Sequence, residues 1–132
     1  MTRVVVPVRY PLSKHSKRTL GHAIEVAHER EAALTVLHVD LYQQGRNVTR
    51  SELKAAVEAE YGALSNARYV VRTGFLVEET ILEEVAAEGA DVVVIGEKQV
   101  GRWRATVRRL VGDPDIESFL REELDAQIVT AE

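Results

Sequence analysis

The sequence predicts an α/β fold: one domain built on a five-stranded, mainly parallel sheet with helices on both faces, a Rossmann-like arrangement. Three observations predict it. Apolar, β-branched runs recur at residues 4–8, 33–39, 69–72, 92–96 and 126–130. The stretches between them place apolar residues at helical spacing. The clearest runs, 4–8 and 92–96, are continuously apolar rather than alternating, as in strands buried on both faces, and such strands belong to parallel sheets with crossover helices. A chain of 132 residues suits a single core.

Each element has a local reason. Residues 4–8 read VVVPV, and Pro7 requires an edge, a bulge or the strand's end because it cannot donate to a ladder. Ser13 or Ser16 can cap the helix that follows, where Leu20, Ala23, Ile24 and Ala27 share a face reaching about Glu31. The second strand, ALTVLHV, ends at Asp40, and a polar loop surrounds Gly45. Thr49 or Ser51 can cap a second helix through about Tyr61, with Leu53, Ala56, Val57 and Glu60 setting its period and Gly62 closing it. After the third strand and Thr73-Gly74, a third helix is marked by Val77, Ile81, Leu82 and Val85, ending at Glu88-Gly89. Residues 92–96 form the clearest buried strand. A loop and a short helix follow, with Trp103, Val107, Leu110 and Val111 on one side. Gly112-Asp113-Pro114 then precedes a last long helix carrying Ile116, Phe119, Leu120 and Leu124, and the final strand spans 126–130.

Composition excludes several functions. With no cysteine there is no disulfide scaffold, cysteine-based metal site or thiol nucleophile. The formal net charge of −4 argues against a general nucleic-acid binder. No apolar run approaches the ~20 residues that span a bilayer, and the first residues lack a signal peptide's apolar region. The expectation is a cytoplasmic protein without membrane association.

In a doubly wound sheet, ligands bind at the carboxyl ends of strands where the strand order reverses. The segment after the fourth strand, GEKQVGR, carries Gly96 and Gly101 and leads toward Gly112. Its spacing fits neither of the common glycine-rich phosphate motifs. Two readings fit: a loop whose backbone amides hold an anion, or an ordinary connection whose glycines serve turns. Lys14, Lys17 and Arg18 open the first helix, and Arg102, Arg104, Arg108 and Arg109 follow the fourth strand. They read either as docking an anionic ligand or acidic partner, or as solvated helix faces. His38 and Asp40 share a strand face without a third metal ligand, and His38 reads as a hydrogen-bonded histidine at the core edge. His22 and His28 do not share a helix face, and His15 has no triad partners. Glu78, Glu79, Glu83 and Glu84 read as a solvated acidic face. Trp103 fits either the core or the mouth of a pocket.

In this order, VVVPV, LTVLHV, the helix from Val77 to Val85 after Arg72-Thr73-Gly74, ADVVVIG and the late Gly112 resemble the universal stress protein family over nearly the whole chain. The resemblance implies an adenine nucleotide alpha hydrolase-like domain, usually dimeric and often through the last strand, with ATP bound by some members and not by others. ATP-binding members carry G-x2-G-x9-G-[ST] after the fourth strand and an Asp after the first. Here Gly96 matches the first glycine, but Gln99 stands at the second and Gly101 falls two residues later. The span to Gly112 is three residues longer than the pattern, Asp113 replaces the hydroxyl residue, and Arg9 replaces the Asp. Pro7, Val8 and Val39 match positions that contribute backbone and shape.

The departures have a physical sense. Asp113-Pro114 is a good helix start, and Asp113 would take the free amides that a phosphate would use. Two like charges ~4 Å apart repel by about 4 kcal/mol at an effective dielectric of 20, roughly a thousandfold in affinity. Arg9 needs a partner if buried, with Asp40 and Asp113 as candidates, or else it points to water. The expectation is a homodimeric binding or signalling module, paired through residues 126–130, with a degenerate nucleotide pocket, weak or absent ATP binding and no catalytic constellation. ATP or AMP binding with slow hydrolysis, and recognition of an anionic metabolite or acidic partner, remain open alternatives.

Overall fold

The computed structural model describes residues 2–111 and 126–131. Its strands are β1 (Arg3–Pro7), β2 (Ala33–Leu41), β3 (Ala67–Gly74), β4 (Val92–Gly96) and β5 (Gln127–Ala131). They form one parallel sheet in the order β3-β2-β1-β4-β5. The helices are α1 (Lys14–Glu29), α2 (Arg50–Tyr61), α3 (Val77–Glu88) and α4 (Val100–Val111). The fold class is the one the sequence predicts. The expected last helix, with Ile116, Phe119, Leu120 and Leu124, lies outside the described residues.

The sheet is sandwiched by two cores, and strand alternation assigns residues to each. Val4, Val6, Leu34, Val36 and Val94 pack with Leu20 of α1 and Leu53 and Val57 of α2. Val5, Leu37, Val93 and Ile95 pack with Ile81 and Val85 of α3 and Trp103 and Val107 of α4. Trp103 is thus a core residue, 1% exposed. Each such large side chain stabilises the fold by about 1.5–3 kcal/mol.

Pro7 shapes the sheet where it matters. It is the last residue of β1, a central strand. Val8 N–H donates to Leu37 O of β2 at 2.8 Å. Backbone groups of successive residues point to alternate neighbours, so the nitrogen of Pro7 faces β4, and it has no hydrogen to give. The β1–β4 register runs only over Val4↔Val92 and Val5↔Val93, whereas β1–β2 runs from Arg3↔Ala33 to Pro7↔Leu37. The two strands therefore part at their carboxyl ends.

The caps resolve the expected choices. Ser13 is the N-cap of α1, its side chain accepting from Ser16 N–H at 3.1 Å, and Ser16 lies inside the helix. Thr49, not Ser51, caps α2, in a reciprocal pair with Glu52. Gly89 ends α3 with φ +60°, a left-handed position that suits glycine. Boundaries differ modestly: α1 stops at Glu29, β2 continues past Asp40 to Leu41, and β3 extends to both sides of 69–72.

One expectation is overturned. Glu84 does not belong to a solvated acidic face: its side chain is buried, and its Oε1 accepts from Arg72 Nε at 2.8 Å. One turn later, Glu88 Oε1 accepts from Thr35 Oγ1 at 2.7 Å and pairs with Arg68 at 3.0 Å. The arginines of β3 reach over the sheet edge to α3. Sequence periodicity on the helix alone does not carry that contact.

Candidate functional site

The parting of β1 and β4 opens a cleft at the switch point of strand order, between β1 and its two neighbours. Two adjoining cavities, of about 390 and about 290 Å³, occupy it and share Pro7, Arg9, Gln99 and Arg102 in their walls.

The larger cavity lies toward β2 and α3. Val8, Val39 and Ile81 give it an apolar floor, and His38, Arg46 and Glu78 add polar groups. His38 is buried with Nδ1 3.0 Å from Val8 O. A carbonyl only accepts, so Nδ1 carries the hydrogen. The ring of Tyr10 meets that of His38 edge-on, 6.1 Å between centroids, and Arg46 donates to Tyr10 O. His38 is thus the hydrogen-bonded core-edge histidine expected from the sequence. Its strand neighbour Asp40 is also buried, and Asp40 Oδ2 accepts from Val48 N–H at 2.8 Å, which ties down the loop after β2. Among the described residues no group of three or more side chains could hold a metal ion.

The smaller cavity lies between the start of α1 and the turn after β4. Gly96 ends β4, and residues Glu97–Gln99 form one 3-10 turn before α4. Gln99 Oε1 accepts from Gly96 N–H at 3.0 Å. Ser16 Oγ accepts from Arg9 N–H at 2.9 Å, which fixes the backbone just after Val8. Lys98 Nζ lies 3.4 Å from His15 Nε2, linking the turn to α1.

The expected site residues separate. Pro7, Val8, Arg9, Val39, Gly96 and Gln99 line the cleft. Gly101 lines neither cavity; it sits exposed in the first turn of α4, because that helix begins at Val100. Gly112 and Asp113 lie outside the described residues. Arg9 is exposed and makes no ion pair among the described residues, and Asp40 turns to Val48 instead. Of the basic residues, Arg18 and Arg102 face the cleft, whereas Lys17 pairs with Glu60 at 3.4 Å and Arg104 lines neither cavity. Sequence reasoning missed Ser16, Lys98, Arg46 and Glu78 as cleft residues. The polar character of the turn and of the loop after β2 was visible, but only the tertiary fold brings them together.

Among the described residues no helix is long and apolar enough to cross a membrane. No curated protein matches the chain. Solved structures of similar fold include a universal stress protein in complex with cAMP, 16% identical with TM-score 0.58, where the match covers 97% of this chain and 96% of that one. They also include the universal stress protein UspA from Lactobacillus plantarum, 17% identical with TM-score 0.59, covering 99% and 97%. A third is a universal stress protein from Archaeoglobus fulgidus, 15% identical with TM-score 0.59, covering 100% and 94%. At such identities they speak for the fold alone. A family model describing the universal stress protein family matches residues 1–115. That match, over most of the length and over both sides of the cleft, places the chain in the universal stress protein family.

Proposed function

We propose that this member is a cytoplasmic, homodimeric stress-response binding module whose cleft has given up tight nucleotide binding, with ATP held weakly or not at all. The observation that carries the reading is the hydrogen bond from Gly96 N–H to Gln99 Oε1. A glycine-rich turn binds phosphate through free backbone amides. Here the first glycine's amide is already engaged, by the side chain that stands at the pattern's second glycine. Arg9, on the other side of the cleft, replaces the acid expected in ATP-binding members, so the end of β1 offers an adenine a cation where those members offer a carboxylate. At the level of sequence, Asp113 adds a negative charge in place of a hydroxyl.

The dimer part of the reading rests on β5. It is the last strand in the sheet order, pairs on one side with β4, and leaves its outer edge without a strand partner among the described residues. An unpaired terminal edge invites a second copy. The reading assigns no catalytic role to any residue.

Titration calorimetry with Mg-ATP and cAMP tests the ligand part, cAMP because a protein of the same fold is described with it. The expected result is no micromolar affinity for either, and micromolar Mg-ATP binding overturns the reading. Gln127 N–H donates to Asp91 O on the β4 side, so by alternation the N–H of Thr130 faces the outer edge. Analytical ultracentrifugation tests the assembly: a dimer that dissociates with Thr130→Pro is expected, and a monomer at all accessible concentrations is not.

A further inference from the structure

We infer that the outer edge of β3 docks an extended acidic peptide, which joins the sheet as an added strand with its carboxylates among the arginines there. The site is at the opposite edge of the sheet from β5 and shares no wall residue with the cleft.

The backbone supplies the first half of the site. β3 has 8 residues and, among the described residues, pairs with β2 alone. Leu34 N–H donates to Asn66 O at 3.0 Å, so Asn66 faces β2. By alternation Arg68, Val70 and Arg72 also turn their backbone groups to β2, and Ala67, Tyr69, Val71 and Thr73 turn theirs outward. The outward row holds donors and acceptors without a strand partner, the template for strand addition. A cavity of about 350 Å³ lies there, walled by Arg50 and residues 68–72. Arg72 Nη1 is 3.5 Å from Val71 O, which places that guanidinium at the outward carbonyl by a contact long enough to yield to a strand amide.

The side chains supply the charge. Three arginines and no carboxylate line the cavity. Arg68 and Arg72 are 50% and 52% exposed, whereas Glu84 and Glu88, the acids of α3 that pair with them, are 5% exposed. Solvent at this edge therefore meets guanidinium. Arg72 reaches Glu84 through Nε and Arg68 reaches Glu88 through Nη2, so each keeps further N–H donors for a second carboxylate. Arg50 opens α2, the wrong sign for the helix dipole, and has no ion pair among the described residues. Glu58, whose charge reaches Tyr69, does not line the cavity. Tyr69 adds a buried hydroxyl with no hydrogen-bond partner among the described residues. Such a group is costly to leave unmade, and an acceptor on an incoming chain would satisfy it.

The pattern names the occupant. Arg68, Val70 and Arg72 share one face of β3. A strand laid beside them meets that face with alternate side chains, and acidic, apolar, acidic is the order that complements it. A second copy does not fit. Two β3 edges joined by a two-fold axis set arginine against arginine, and β5 carries no charged side chain to answer them. The arginines thus repel this edge from its own kind while admitting an acidic strand.

The test is fluorescence anisotropy on the full chain with a labelled threonine peptide as long as β3, carrying glutamate, valine and glutamate at alternate central positions. The comparators are the same peptide with lysine for glutamate, two versions N-methylated on alternate amides in the two phases, and a single-stranded oligonucleotide. Arg68 and Arg72 stay in place, because removing either strands a buried carboxylate. Instead Arg50→Glu is compared with Arg104→Glu, an exposed position of α4 outside all three cavities. The acidic peptide is expected to bind at least about tenfold more tightly than the lysine peptide and the oligonucleotide. One N-methylation phase is expected to abolish binding and the other to leave it, because only alternate amides of an added strand face the sheet. Arg50→Glu is expected to weaken the acidic peptide about tenfold, the loss and reversal of one exposed pair, with Arg104→Glu unchanged. Silence of the acidic peptide, equal binding by the lysine peptide or the oligonucleotide, the same result in both N-methylation phases, or no effect of Arg50→Glu overturns the inference. Dissociation of the protein's own assembly by the peptide would show that a second copy holds this edge, and also overturns it.

Discussion

Gln99 turns its carboxamide back on Gly96, accepting the glycine's N–H at 3.0 Å. The turn after β4 thus satisfies itself. Gln99→Gly removes the acceptor and frees the amide toward the cleft. Mg-ATP is expected to bind about tenfold more tightly to this variant than to the parent, the gain of one charge-assisted hydrogen bond. Calorimetry of the two proteins side by side checks it, and an unchanged affinity would show that the amide is not what limits binding.

The buried carboxyl pair on α3 gives a pH signature. Burial pushes the Glu84 carboxyl up, its hydrogen bond with Glu88 adds to this, and Arg72 works against it. Glu84 therefore favours the fold below the ordinary value of 4.5, and that contribution is lost as pH rises through its folded value. Glu88 runs the other way. Burial alone would raise it, but hydrogen bonds with Glu84 and Thr35, and the Arg68 and Arg3 guanidiniums, hold it below its ordinary value. Its contribution is present above 4.5 and lost as pH falls through its folded value. Glu84→Gln keeps an acceptor for Arg72 and removes the ionisation. Denaturant unfolding at stepped pH is expected to show the variant at least as stable as the parent near neutral pH, without the parent's loss of stability as pH rises from 4.5 through the folded value of Glu84.

Gly74 closes β3 where an added Cβ would overlap Thr80 Oγ1, which already donates to Leu76 O at 2.7 Å. Gly74→Ala is expected to destabilise by about 1–3 kcal/mol. Combining it with Thr80→Ala is expected to recover part of the loss, a coupling that thermal unfolding of the single and double variants reads directly.

Trp103→Ala removes the largest fully buried side chain. The expected cost is about 3–5 kcal/mol, measured by urea unfolding. Thr49→Ala, which breaks the reciprocal cap with Glu52, is expected to cost only about 1 kcal/mol in the same assay.

The layers were legible because burial on both sheet faces writes itself as runs such as Val4-Val5-Val6 and Val92-Val93-Val94. Pro7 was legible as a strand end but not as the residue that parts β1 from β4, since that depends on which neighbour its nitrogen faces. Glu84 was misread because a glutamate among glutamates looks solvated until Arg68 and Arg72 of another element are placed beside it. The cleft was legible where it sits on strand ends, at Arg9, Val39 and Gly96. Lys98, Ser16 and Arg46 were not, because each belongs to a different segment and only strand order brings them to one opening. Gly101 looked like part of a loop because glycine is rare inside helices, yet α4 starts before it.

The indole of Trp103 is the chain's one tryptophan, and it sits shielded in the core directly after Arg102 on the same helix. The molecule therefore carries its own optical probe, a single indole shielded from solvent, one peptide bond from a cationic wall of the cleft. Emission colour and quenching at that position follow the integrity of the fold without any added dye.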